Sequence, residues 1–462
     1  MPTEPWPRKR LGASTLTDMS DSSSSAAAEP AHDHAPGKGR VLAWALWDWG
    51  SASFNAVITT FVFTVYLTSS SFGEEDAVAA QLGWALAIAG VLIAVLAPVT
   101  GQASDRGGRR RFWLGVHTAI VVAISAALFF VQPDPSYLLL GLVLVAAGNV
   151  FFEFASVNYN AMLSQVSTPK NIGRVSGFGW GMGYLGGIVL LAIILIGFVF
   201  PEVGWFGVTA ENGLNIRVAM LVAAAWFGLF ALPVMFAVPE VPRARSTEAK
   251  LGVIGSYRAL FARIRDLSRN APNTLRFLIA SAVFRDGLAG VFTFGGIIAA
   301  RSFGFDSTTV IIFAIAANVV AGIATVALGL ADDRLGARFL MIVSLAGMLV
   351  VAAFLFFLAP LGSWVFWVFG LGLCVFVGPV QSASRSYLAR MIPPGQESEI
   401  FGLYATTGRA VSFLAPTAFA FFVGLSGQTI TGIIGIALVI AVGLGLLLWV
   451  RPQRDTQAPG LH

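Results

Sequence analysis

Apolar residues run along this chain in long blocks. The blocks lie at about 42–69, 78–104, 112–131, 137–163, 174–199, 214–238, 274–300, 308–331, 338–358, 363–389, 399–423 and 429–450, each set off by a polar stretch. A helix needs roughly 20 apolar residues to cross the hydrocarbon core of a bilayer. The pattern therefore predicts twelve membrane-spanning helices, divided six and six by a longer polar segment at 239–273. The expected fold is all-α and polytopic. It has a tail at 1–40, a six-helix bundle at 41–238, a loop at 239–273, a second bundle at 274–451 and a short tail at 452–462.

Two polar segments carry their own patterns. The first 40 residues are rich in Ser, Ala, Asp and Pro and cannot build a core, so a disordered cytoplasmic tail is expected. His32 and His34 in that tail are expected to be solvated. The central loop has Leu251, Ile254, Tyr257, Leu260, Phe261, Ile264 and Leu267 at helical spacing, with Arg258, Arg263, Arg265 and Arg269 between them. That pattern predicts an amphipathic helix lying on an anionic inner leaflet.

Composition agrees with the block pattern. The chain is 56% hydrophobic and 11% charged, against roughly 45–50% apolar in soluble proteins. Its one cysteine, Cys374, lies in an apolar block and reads as a packing residue. A net charge of +5 could point to nucleic acid, but its distribution argues otherwise. Of the 29 Lys and Arg, all but Arg217, Arg285, Arg301 and Arg409 fall in segments that share one side when the N-terminus is placed inside. This is the positive-inside bias of a membrane protein. It puts both termini and the central loop in the cytoplasm, and nucleic acid is not expected as a partner.

The basic loops hold a repeat. "GQASDRGGRR" begins at Gly101 and "GLADDRLGAR" at Gly329, close to half the chain apart. Gly101 matches Gly329, Asp105 matches Asp333, Arg106 matches Arg334, Gly108 matches Gly336 and Arg110 matches Arg338. Each copy follows the second block of its half. The halves thus read as copies of one unit, the architecture of secondary transporters with a site between the repeats. Arginines at a helix end can bond the last carbonyls and neighbouring acids, which predicts a cytoplasmic gate of Gly101, Asp105, Arg106, Arg110, Asp333, Arg334 and Arg338.

The first copy matches in full a loop motif of the major facilitator superfamily, which this chain resembles. More narrowly, "WALWDWGSASF" (44–54), "NYNAMLSQVSTPKNIGRVSGFGWGMGYLGG" (158–187) and "GPVQSASRSYLARMIPPGQESEIFGLYATTGRAVSFLAP" (378–416) resemble its vacuole-effluxer branch. That branch includes fungal proteins that release amino acids from vacuoles, and bacterial members. The chain departs from it in two places. Gly50-Ser51-Ala52 follow Asp48-Trp49, and Arg285 precedes Asp286-Gly287. The resemblance implies two six-helix bundles, alternating access, and a cavity lined by spans 1, 4, 7 and 10.

Charges inside a span cost roughly 2.5–3.5 kcal/mol each on insertion scales, so they mark pathways or pair with one another. Asp48, Glu153, Arg285, Asp286, Gln381, Arg385 and Arg409 are such polar positions. In span 4, Asn149, Glu153, Ser156 and Asn160 make one helical stripe, and in span 1 Asp48, Ser51, Asn55 and Thr59 make another. The expected substrate and coupling cavity is Asp48, Asn55, Glu153, Asn160, Arg285, Asp286, Gln381 and Arg409. Arg285 or Arg409 is expected near Asp286. Trp44, Trp47 and Trp49 are expected as interface anchors, Gly179, Gly183 and Gly187 as a close-packing ladder, and Pro98 and Pro416 as helix bends.

The chain has no phosphate-loop, HExxH or Gly-x-Ser-x-Gly signature. An enzyme, a cofactor and a metal site are not expected. The expectation is a monomeric efflux permease that moves a small polar solute, with amino acids as the candidate class and protons as coupling ion. Multidrug-type efflux and a transport-dead scaffold or sensor are the alternatives, and the mid-span charges weigh against the scaffold. An excess of arginine over lysine points to a GC-rich bacterium and hence to its plasma membrane.

Overall fold

The computed structural model describes residues 37–240 and 253–451. Twelve of its helices are long and apolar enough to cross a bilayer. In the first half they are Lys38–Leu67, Ala77–Gly107, Arg110–Phe130, Pro135–Val166, Ile172–Val199 and Glu211–Ala237. In the second they are Pro272–Phe303, Ile312–Leu335, Ala337–Phe357, Ser363–Met391, Glu397–Ser426 and Thr429–Trp449. We number them spans 1 to 12. The expected tail, apart from residues 37–40, lies outside the described residues, as do the start of the central loop and residues 452–462.

One end of the bundle gathers the basic loops. Arg111 at the start of span 3 donates to the Val238 carbonyl after span 6 (3.0 Å), and Arg338 at the start of span 9 donates to the Val450 carbonyl after span 12 (3.0 Å). Each arginine thereby satisfies a carbonyl that a helix C-terminus leaves unpaired. Glu240 accepts the N–H groups of Arg111 (3.2 Å) and Phe112 (2.9 Å) and caps span 3. We call this end the basic face.

The central loop contains the amphipathic helix at Val253–Asn270. Leu260 and Leu267 are buried, whereas Phe261 is exposed. Tyr257 donates from its hydroxyl to the Val95 carbonyl of span 2 (3.1 Å). Leu251 lies outside the described residues.

Two spans depart from regular α-helix in ways that set the site. Span 1 widens into a π-helix at Ser53–Phe61, where the Thr59 and Thr60 hydroxyls both donate to the Asn55 carbonyl (2.9 and 2.7 Å). The extra residue per turn shifts the helical register. The predicted stripe therefore splits: Ser51 is buried while Asn55 is exposed. Span 11 is broken between Val411 and Leu414. Pro416 explains the position, since it has no N–H for Ser412 and its ring crowds the carbonyl four residues back.

Span 5 presents glycines on two faces. A Cβ at Gly177 would come within 2.7 Å of the Thr325 carbonyl and 2.9 Å of Gly329 Cα, so this face lets span 8 approach backbone to backbone. On the other face Gly179, Gly183 and Gly187 meet Trp44, Asp48 and Ala52 of span 1. One buried cluster fills the first six spans; a second fills the last six and takes in Ala89, Ala97, Phe154 and Ala161 of spans 2 and 4.

Candidate transport pathway and gate

The halves meet at two crossings on the basic face. In the first, span 2 ends against the start of span 11. Gly101 lies directly on the Ser398 backbone, with no room for a Cβ. Asp105 accepts the N–H groups of Ser398 (3.1 Å) and Glu399 (2.8 Å). These are unpaired donors at the positive end of a helix, the natural seat for a carboxylate. Arg110 bridges Asp105 (2.8 Å) to Glu397, and all three side chains are largely buried. Gln102 donates to Glu399 (3.1 Å), and Arg263 of the loop helix reaches the same carboxylate at 3.6 Å. Arg106 stands close enough to act on the Glu399 charge.

The second crossing repeats the first. Asp333, at the end of span 8, accepts the N–H groups of Gly173 (2.7 Å) and Arg174 (3.1 Å) at the start of span 5. Here the pairing arginine is Arg390 of span 10, which donates to Asp332 (2.7 Å) and Asp333 (3.4 Å). Arg338 does not take the place of Arg110, as the sequence match implied. The first loop has two residues between helices, Gly108 and Arg109, and the second has only Gly336. Arg338 therefore corresponds to Arg111, and both cap carbonyls. Arg334 is exposed at its helix end.

Behind the crossings lies a buried cluster around Arg385. Its Nη1 reaches Asp48 Oδ2 (3.5 Å) and donates to Asn160 Oδ1 (3.2 Å), and its Nη2 donates to the Ser176 carbonyl (2.7 Å). The rings of Trp44, Tyr159 and Trp180 surround the guanidinium at 5.0, 5.6 and 5.6 Å. Trp44 and Trp47 are not interface anchors, contrary to expectation. Both are buried, stacked on Tyr159 at 4.4 and 4.3 Å. Trp49 is half-buried and stacks on Trp226. Hydropathy marks these rings as amphipathic but does not tell a bundle interior from a membrane interface. Nothing in the sequence separates Tyr159, Ser176 and Trp180 from the packing residues of their apolar blocks.

Midway along the spans, Arg409 Nη2 donates to Glu153 Oε2 (3.1 Å), and the side chains are 38% and 21% exposed. This pair is an ionic contact between the halves, joining span 4 to span 11. The sequence placed Asp286 beside an arginine, and the structure separates them. Asp286 accepts the Ala415 N–H at 2.6 Å, capping the second segment of span 11. Arg285 turns to Tyr404, stacking at 3.7 Å and donating to its carbonyl (3.2 Å). The two residues thus hold span 11 on either side of its break. Gln381 is half-buried and Asn55 exposed.

Two repeated six-helix halves, joined at one face and bearing a half-exposed charge pair at mid-depth, define a transporter of the major facilitator class. The chain belongs to the vacuole effluxer Atg22-like family, whose model matches residues 69–459. It is 27% identical over 425 residues to an uncharacterized transporter of this class, YxiO of Bacillus subtilis, covering 89% of this chain and 95% of that one. It is 23% identical over 310 residues to autophagy-related protein 22-1 of Aspergillus fumigatus, covering 62% of this chain and 49% of that one, so it spans about half the length of this fungal relative. Among solved structures, the proton:xylose symporter XylE superposes with a TM-score of 0.67 at 13% identity, covering 89% of this chain and 94% of that one. The transporter FucP in its outward conformation gives 0.63 at 14% identity, covering 90% and 99%. The chain is a multi-pass membrane transporter and not an enzyme.

Proposed function

We propose that this transporter exports a small polar solute, in the class of amino acids, across a bacterial plasma membrane by proton-coupled alternating access. The basic face is read as cytoplasmic from its arginines, and the molecule described is then closed inward. The observation that carries the reading is the Arg409–Glu153 pair, half-exposed above two closed crossings. A mid-span pair of opposite charges offers one partner to each end of a zwitterion. A carboxylate freed from its arginine by the solute can take up a proton, which ties the two movements. The description of the matching family as a vacuole effluxer supports export, and the proton:xylose symporter of the same fold supports protons as the driving ion. The unit is a single chain working in lipid.

Reconstitution in liposomes tests this. Preloaded unlabelled amino acid should drive uptake of labelled amino acid in exchange, and an imposed pH gradient should drive uphill movement. Exchange of no amino acid across a full panel would overturn the substrate class. Exchange with no response to the pH gradient would overturn the coupling ion.

A further inference from the structure

We infer that Trp44, Asp48, Tyr159 and Trp180 of the first half form a recognition box for an organic cation, and that Arg385 of the second half occupies this box when the basic face is closed. The inference rests on the alternating-access reading above and names what the moving halves exchange.

The box belongs wholly to the first half. Trp44 and Asp48 come from span 1, Tyr159 and Asn160 from span 4, and Ser176 and Trp180 from span 5. Its inner surface is made of acceptors and aromatic faces. Asp48 Oδ2, Asn160 Oδ1, and the Ser176 carbonyl and hydroxyl all face the guanidinium, the last at 3.0 Å. The three ring centroids at 5.0–5.6 Å lie within the roughly 6 Å over which an aromatic face attracts a cation. An anion finds no welcome among such groups.

The box is also held in shape without Arg385. Trp44 donates from Nε1 to the Tyr159 carbonyl (3.1 Å), and Trp47 donates to Thr118 (3.0 Å) while stacking on Tyr159. Tyr159 donates its hydroxyl to Asp48 Oδ2 (3.0 Å) and aims the carboxylate. Gly179 forms the wall between ring and guanidinium. A Cβ there would stand 2.7 Å from Trp44 and 3.1 Å from Arg385 Nη2, so the slot needs glycine.

Opening the basic face carries Arg385 away with span 10. It leaves Asp48 without its cation in a low-dielectric pocket, a costly state. An ammonium or guanidinium from the cytoplasmic side restores the charge balance. When the halves close again, Arg385 competes for the same place and drives the solute toward the open cavity. Arg385 is thus a tethered competitor of the solute. A residue that ligates the solute and one that competes with it respond oppositely to removal.

The test measures binding to the purified full-length chain, read by tryptophan fluorescence. The cationic probe is arginine methyl ester and the anionic probe succinate. Arg385→Gln should bind arginine methyl ester tenfold or more tightly than the parent, and Asp48→Asn tenfold or more weakly, with succinate unmoved in both. Weaker or unchanged cation binding in Arg385→Gln, or a gain for succinate, overturns the proposal. A second measurement spares Arg385. A Cβ at Gly322 of span 8 would lie 3.2 Å from Tyr184 Cβ of span 5, so Tyr184→Cys/Gly322→Cys in a Cys374→Ala chain can be oxidised to hold the halves as they stand. The reduced form should bind arginine methyl ester and the oxidised form should not; equal binding by both overturns the proposal. The transport reading fails separately. A chain with this binding pattern that exchanges no amino acid in liposomes keeps the box and loses that reading. Amino-acid exchange with cation binding unmoved by Arg385→Gln does the reverse.

Discussion

Asp105 and Asp333 hold mirror positions. Each ends the second span of its half, and each accepts two adjacent N–H groups from the first turn of the other half's fifth span. The donors are Ser398 and Glu399 for Asp105, and Gly173 and Arg174 for Asp333. Both pairs are the second and third residues of their helices. The sequence repeat is therefore a repeat of function: each half supplies the acid that caps its partner.

Asp105→Asn keeps the shape and loses the charge. A carboxylate at a partly buried helix N-terminus contributes up to about 2 kcal/mol. The closed basic face should lose that much relative to the open one, a shift of roughly thirtyfold in population. Transport should fall while expression and solute binding hold. Normal transport by Asp105→Asn would show that the arginines serve only as anchors.

Asp333→Asn should act on the same equilibrium through a different crossing. The two crossings share no partner in the contacts described, so their effects should add in free energy. Cysteine accessibility at the basic face would measure the open population in each single variant and in the double. A double variant no more open than either single would place both acids in one lock.

Orientation can be tested with two exposed serines. Ser268 lies on the loop helix and Ser71 follows span 1 at the opposite end. The native Cys374 is buried and gives little background. An impermeant thiol reagent on intact cells should label Ser71→Cys and spare Ser268→Cys. Labelling of Ser268→Cys reverses the assignment of faces.

Twelve spans, the division into halves and the two acid-bearing loops are legible in the chain because each depends on local pattern. Hydropathy reports length, and a repeat reports kinship. Pairing is not local. The one-residue difference between Gly108-Arg109 and Gly336 moved Arg338 from the acid to a carbonyl, although the letters align it with Arg110. Asp286 and Arg285 sit where a mid-span ion pair is expected, yet the break before Pro416 exposes an amide that takes the carboxylate. Trp44 and Trp47 are buried because glycines of span 5 and Tyr159 of span 4 make room and a stacking partner, which no pattern within span 1 reveals.

The separation of Asp286 from Glu153 gives the last prediction. Asp286 caps Ala415, and asparagine is nearly as good a cap as aspartate. Asp286→Asn should therefore keep both solute exchange and uphill transport driven by a pH gradient. Asp286→Ala should lose about 1 kcal/mol of stability from the uncapped segment of span 11, read as a fall in Tm. Glu153 pairs with Arg409 across the halves, and its side chain remains 21% exposed. Glu153→Gln removes the carboxylate that can carry a proton while leaving a side chain that still accepts from Arg409. It should retain exchange and lose the response to the pH gradient. Each variant is measured in liposomes, first with equal pH and then with a gradient. Proton-driven transport by Glu153→Gln at the parent rate would remove Glu153 from the coupling path. Loss of that response in Asp286→Asn alone would move the proton site to the hinge of span 11.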